Sequence, residues 1–228
     1  MIKINESSKS LENIPIIDQL KYFQKTIIRK KGLRLTREGY LPSRIIKKIY
    51  RKKILVDYDI EIGITQLKKE NDSESIAITR MFSELLGLIK KENNRIFVTE
   101  QSEKYIENPE LLKRLILEIG TNYNWAYFDR CLEKDIGKLG FQYSMYLLGK
   151  YGKEEKSDKF YAEKYFNKYP HLKSTNKECI NMYSIRTFDR FLKYFGFVEI
   201  KEGIYGERYI KKTELFDRYI EISEDIPV

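Results

Sequence analysis

Apolar positions recur along this chain with two periods, and the switches between them predict its elements. From Pro15, residues Ile16, Ile17, Leu20, Phe23, Ile27 and Ile28 share one helical face. Pro15 suits the first turn, and Arg29-Lys30-Lys31 suit a C-terminus stopped by Gly32. Leu33 to Thr36 alternates as a short strand; after a turn at Arg37 to Tyr40, Leu41-Pro42 opens a helix with Ile45, Ile46, Ile49 and Tyr50 inward. Ile54 to Ile64 alternates only in parts and reads as strand or loop. A polar break at Asn71-Asp72-Ser73 then starts a helix with Ile78, Phe82, Leu85 and Leu86 apolar. Further helices are predicted over 111–119, over 125–139 with Trp125, Phe128 and Leu132 spaced by three and four, and over 140–152 with Phe141, Met145 and Leu148. A last one before the second hairpin runs from an N-cap at Ser157 to Pro170, with Phe160, Tyr161, Tyr165 and Phe166 apolar.

One pattern occurs twice. In the later copy Ser184 is the expected N-cap, Ile185, Phe188, Leu192 and Phe195 recur at helical spacing, and Gly196 follows where a left-handed cap is cheapest. Phe197 to Ile200 then reads as a strand, Lys201 to Gly206 as a turn, Glu207 to Lys212 as the returning strand and Thr213 to Glu221 as a helix. The earlier copy has Ser75-Ile76, Leu86-Gly87-Leu88-Ile89 and Thr99-Glu100 in the same order, with a shorter ribbon. Segments 73–107 and 182–221 are therefore expected to superpose. The predicted fold class is mainly α with small β-hairpins (α+β), arranged as two winged-helix-like units in tandem. The expected bounds are a flexible terminus over 1–13, a basic unit over 14–108, a second unit over 109–222 and an acidic tail over 223–228. Asn108-Pro109 marks the division.

At 228 residues, two cores of this size fit. No run of 18 apolar residues and no leader-like start at Met1 is present, so the expectation is a cytoplasmic chain with no membrane partner. Cys131 and Cys179 have no companion ligands in the sequence, and both are read as reduced, buried thiols without a metal. Trp125, Tyr127 and Phe128 are read as core. The 18 tyrosines are read as compositional bias, not as base-stacking platforms.

The net charge of +9 is concentrated. Residues 21–53 hold 13 Lys and Arg against the single acid Glu38, a local +12, which leaves the remainder at −3. A face of this kind can neutralise phosphates and release their counterions, and this makes duplex DNA the expected partner. The candidate contacts are Arg44, Lys47, Lys48, Arg51 and Lys52 in the first unit. In the second they are Arg186, Thr187, Arg190 and Lys193 on the outward face of the helix, with Lys201, Arg208, Lys211 and Lys212 in the ribbon. Thr79, Arg80, Ser83 and Glu84 are the corresponding outward set of the first copy. No cofactor and no catalytic residue is predicted: the one histidine, His171, lacks a nucleophile and an orienting acid, and no phosphate loop or nucleophile elbow occurs. Two other readings stay open. The units could dock a protein partner without binding DNA, or Asp57, Asp59 and Glu61, on one face of a strand, could hold Mg²⁺ in a nuclease.

The run Leu33-Arg34-Leu35-Thr36-Arg37-Glu38-Gly39-Tyr40-Leu41-Pro42, with Asn124-Trp125-Ala126-Tyr127-Phe128-Asp129-Arg130, resembles helical regions associated with plasmid Orf3-like proteins of bacterial mobile elements. The resemblance spans about residues 15–170 and does not include the β-rich Orf3-like domain itself. It implies a setting on a plasmid, phage or transposon, as a regulator or a replication or mobility factor, and no catalytic residues.

Overall fold

The computed structural model describes residues 2–5, 11–126, 129, 133, 135–173, 178–204 and 206–222, with the backbone alone for Ile2, Glu103 and Lys104. The fold is α+β; among the described residues helices predominate, beside three small antiparallel sheets. It divides into two compact units, Ser10–Leu115 (the N-terminal unit) and Ile116–Val228 with Met1–Lys9 (the C-terminal unit). The division falls past Asn108-Pro109, within a helix. The chain also begins differently from expectation. Strand β1, Ile2–Ile4, pairs antiparallel with the last strand, Ile220–Ile222, and the Asn5 amide bonds to the Tyr219 carbonyl, so these residues are part of the C-terminal unit.

In the N-terminal unit, helix α1 (Pro15–Arg29) buries Ile16, Ile17, Leu20, Phe23 and Ile27, while Ile28 is exposed. It closes with paired bonds from Lys31 N to Ile28 O and from Gly32 N to Ile27 O. Lys31 is therefore the left-handed cap residue (φ 50°), and Gly32, also at positive φ, follows it. Strand β2 (Leu33–Arg34) leads to α2 (Ser43–Tyr50), the one-turn helix α3 (Tyr58–Glu61) and α4 (Glu74–Leu85). The strand alternative for 54–64 is thereby excluded. Strands β3 (Ile89–Glu92) and β4 (Arg95–Val98) form a hairpin, and α5 (Glu100–Tyr105) follows. Ile45, Ile46 and Ile49 of α2 pack with Phe23, Ile76 and Ile96 in one core. Gln19 crosses this core with both ends of its amide bonded: the nitrogen donates to Ser75 O and Thr79 Oγ1, and the carbonyl accepts from Leu55 N.

Helix α6 (Glu110–Thr121) leads into the stretch 125–139, which the apolar spacing predicts as helical. Its described residues run instead as turns, with Trp125 buried and its Nε1 donating to Ile119 O at 2.5 Å. Tyr127, Phe128, Cys131 and Leu132, part of that expectation, lie outside the described residues, as does the tail 223–228. The C-terminal unit continues with α7 (Phe141–Tyr151), β5 (Lys156–Ser157), α8 (Asp158–Lys168), α9 (Glu178–Ser184), β6 (Val198–Glu202), β7 (Arg208–Lys212), α10 (Glu214–Tyr219) and β8 (Ile220–Ile222). Ser157 caps α8 as expected, accepting from Phe160 N. The core is aromatic: Tyr165 stacks on Tyr183 at 4.4 Å, and Trp125 lies 5.1 Å from Phe191. Cys179 is buried and is not part of a disulfide.

The repeat holds at the level of single hydrogen bonds. Gly87 and Gly196, at φ 66° and 69°, each follow a helix closed by a bond from the next amide, Leu88 N to Ser83 O and Phe197 N to Leu192 O. Thr99 and Thr213 then bond back by Oγ1 to the carbonyls of Gly87 and Gly196 (2.7 and 2.6 Å), and each also caps the following helix. The hairpins start in one register, Ile89 opposite Val98 and Val198 opposite Lys212. In both units a third strand pairs with the second hairpin strand, in sheet orders β2-β4-β3 and β5-β7-β6. Its register is also the same: Leu33 and Lys156 face Ile96 and Ile210, each three residues before the threonine.

Candidate nucleic-acid interface

Helix α2 is amphipathic over only two turns, and this separates its residues sharply. Ile45, Ile46, Ile49 and Tyr50 enter the core; Arg44, Lys47, Arg51 and Lys52 are exposed and Lys48 is half-buried. Lys47 and Lys48 also occupy the last turn, where cations suit the helix dipole. No carboxylate neutralises Arg44, Lys47, Lys48, Arg51 or Lys52 among the described residues, and the Lys52 ammonium lies 5.3 Å over the Tyr22 ring. The end of α1 adds exposed Arg29, Lys30 and Lys31, and the following strand and turn add exposed Arg34 and Arg37. Within the basic segment only two ion pairs form among the described residues, Lys21 with Glu107 and Lys53 with Glu61. The rest of this charge is left for solvent or a ligand.

Most of the candidate contacts in the C-terminal unit are already spoken for. Arg186 and Thr187, expected outward, are fully buried, and Ile185, expected inward, is 39 % exposed. The reason is a change of helix type: from Ile185 to Leu192 the chain is a π-helix, continuous with α9, and Lys193 N bonds to Phe188 O. A wider turn brings residues four and five apart onto one face. Arg186, Thr187 and Phe188 therefore enter together, followed by Phe191, Leu192 and Phe195. Ser184 is consequently mid-helix, not an N-cap; its Oγ donates to Asp158 and accepts from Arg208.

Arg186 donates to both carboxylate oxygens of Asp129 and to the carbonyls of Glu133 and Ile136. Arg190 reaches the same carboxylate at 3.0 Å. Arg208 pairs with Asp189 at 2.6 Å, Lys201 with Glu155, and Lys212 with Asp217. Of the candidates in this unit, Lys193 and Lys211 alone are exposed without an ion pair among the described residues. The matching set on α4 is also corrected. Thr79 and Ser83 are buried, bonding to Ser75 O and Thr79 O one turn back, whereas Leu85, expected apolar-inward, is half exposed. Arg80 is spent on Glu70, Glu84 and Gly39 O, each at 2.9 Å.

The three acids near residue 60 do not converge. Asp57 is half-buried and accepts from Ser73 Oγ, Ser75 N and Ser75 Oγ, whereas Glu61 accepts from Lys53 and Tyr50. Burial raises the Asp57 carboxyl above its ordinary range, partly opposed by those hydrogen bonds; the bonds from Lys53 and Tyr50 lower Glu61. With α3 in place of a strand, the shared carboxylate face is absent, and no group of three metal-ligating side chains occurs among the described residues.

A feature not anticipated from sequence is Arg95, which stands directly opposite Arg34 on the neighbouring strand. Basic Lys90-Lys91 and Arg95 around the Asn93-Asn94 turn were the available signal. No helix is long and apolar enough to cross a membrane among the described residues. Compared with known proteins, the chain matches no family model, no curated protein and no solved structure.

Proposed function

We propose that this chain is a non-enzymatic DNA-binding protein built of two winged-helix-like units, in which the N-terminal unit carries the phosphate contacts. The order helix, strand, helix, helix, hairpin recurs in each unit, with the one-turn α3 added in the N-terminal one; β2 and β5 each pair with the second hairpin strand, and this supports the winged-helix reading. The observation that carries the DNA reading is the contrast in charge pairing. Arg44, Lys47, Lys48, Arg51 and Lys52 have no acidic partner among the described residues, while Arg186, Arg190, Lys201 and Arg208 are each held by one. Unpaired cations on a rigid helix attract a polyanion and position it without reading its sequence.

Base reading through either α4 or the π-helix is not part of the proposal, because Arg80 and Arg186 are consumed internally. Such a protein suits a regulator or a replication or mobility factor of a plasmid, phage or transposon, the setting that the Orf3-like resemblance implies. A second reading applies to the C-terminal unit alone. Exposed Ile185, Ile204 and Tyr209, beside neutralised charges, favour a protein contact over a nucleic-acid one. The test is binding of random-sequence duplex DNA, followed by fluorescence anisotropy across a salt series. A steep loss of affinity with salt supports phosphate contacts; no binding at low salt removes the proposal and leaves the protein-contact reading.

A further inference from the structure

Arg34 of β2 and Arg95 of β4 face each other across an antiparallel pair, both exposed, while their neighbours Leu33 and Ile96 turn into the core. Like charges directly opposite one another destabilise a strand pair. Neither arginine forms an ion pair among the described residues: Glu92, opposite Arg95 on β3, is held by Lys90 at 2.8 Å. Arg95 is itself fixed in place. Its Nη2 donates to the carbonyls of Lys31 and Gly32 (3.2 and 3.5 Å), and its guanidinium lies 5.7 Å from the Phe97 ring centre. Arg34 makes no hydrogen bond through its side chain to any described residue.

The other unit shows that the fold does not need charge there. In the same register, four residues before the threonine, it places Ser157 opposite Tyr209. A repulsive pair retained where Ser and Tyr would serve calls for an anion between the two guanidiniums.

We propose that Arg34 and Arg95 form a phosphate clamp on the outer face of the N-terminal sheet, for a phosphodiester of a nucleic-acid backbone. It rests on the DNA-binding reading above and adds to it a site on the sheet, apart from α2. Two planar guanidinium forks present parallel N–H donors to phosphate oxygens, a geometry that ammonium groups lack. The bound phosphate turns the repulsion into attraction, so the free protein gives up stability to keep the site ready.

The test is Arg34→Gln, which leaves the bonds of Arg95 untouched. Anisotropy with random-sequence duplex DNA is measured over a salt series, and thermal unfolding is measured without DNA. The expected result is a log–log salt slope shallower by about 0.9 and affinity at low salt down by about threefold or more. The melting temperature of the free protein should stay level or rise. Arg34→Lys should restore the slope but only part of the affinity. If Arg34→Gln binds like the parent while a variant of the α2 lysines binds more weakly, the clamp is wrong and the DNA reading stands. If the variant loses melting temperature together with affinity, Arg34 is structural and the clamp is wrong. If the parent binds no DNA, both fall.

Discussion

The guanidinium of Arg186 meets the carboxylate of Asp129 in a two-pronged bond, Nε to Oδ2 at 2.7 Å and Nη2 to Oδ1 at 3.0 Å, and it is fully buried in doing so. It ties the first turn of the π-helix to the loop that follows α6, 57 residues earlier. Two carbonyls of that loop accept from its remaining fork, so the charge is both paired and hydrogen-bonded.

Removing one partner of such a pair leaves the other uncompensated. Arg186→Gln is expected to cost about 3 kcal/mol or more of unfolding free energy, and Asp129→Asn a similar amount. The double variant should cost clearly less than the two added together, because each single change already breaks the same bond. Urea unfolding of the four proteins checks this. Additive losses would mean that the pair is not the unit of stability.

A second expectation concerns pH. Ser73 caps α4 by accepting from Ile76 N, and its hydroxyl also donates to half-buried Asp57 at 2.5 Å. Burial holds the Asp57 carboxyl above its ordinary value of 3.8. The folded chain therefore binds this proton more tightly than the unfolded chain, and stability from this site falls as pH rises from the unfolded value through the folded one. Ser73→Ala removes a bond that favours the charged form, raising the folded value further. The variant should lose about 1–3 kcal/mol at neutral pH, and the deficit should narrow towards acid pH, where Asp57 is protonated in both states. A deficit independent of pH would assign the whole cost to the cap.

Two glycines separate strain from space. Gly32 (φ 95°) packs against Phe97, and a Cβ there would lie 2.5 Å from the ring's Cε1; Gly206 (φ 80°) has nothing within 4 Å. Gly206→Ala should cost only the left-handed strain, about 1–2 kcal/mol. Gly32→Ala should cost more, because the ring must also move. Equal shifts in chemical denaturation midpoints would contradict the close approach.

These residues also show what the sequence could and could not reveal. The glycine stops at Gly87 and Gly196 and the helix starts at Thr99 and Thr213 were legible because such choices are local, decided within a few residues. The Ile2–Ile4 strand was not, because its partner lies at the other end of the chain and three residues carry no period. The inward turn of Arg186 and Thr187 was hidden for another reason. Reading outward faces assumes 3.6 residues per turn, and a π-helix moves each following residue round the axis. Thr79 and Ser83 were misplaced for a simpler reason: polar side chains that bond one turn back can be buried at little cost. In the basic segment the charge was legible in composition. Its freedom from partners depends on where acids from distant segments fall, as with Glu107 on Lys21 and Glu61 on Lys53.

Replacing Lys47, Lys48, Arg51 and Lys52 together by Gln tests which unit meets DNA. If each contacts a phosphate, the log–log salt slope should become shallower by about 0.9 per residue, roughly 3.6 in all, and by the same amount on every duplex sequence. Stability should change by about 1 kcal/mol or less, since the side chains are exposed or half-buried and the charge of Lys52 over the Tyr22 ring is a weak attraction at such a site. The control is Lys193→Gln with Lys211→Gln, the two candidate contacts of the C-terminal unit that are exposed without an ion partner among the described residues. Because their neighbours Arg190 and Arg208 are already held by acids, that pair should leave affinity within about twofold of the parent. A control that lowers the slope as much as the α2 variant would place the phosphate contacts on both units. An α2 variant with the parent's affinity and slope at low salt would remove α2 from the interface, since electrostatic attraction is strongest there.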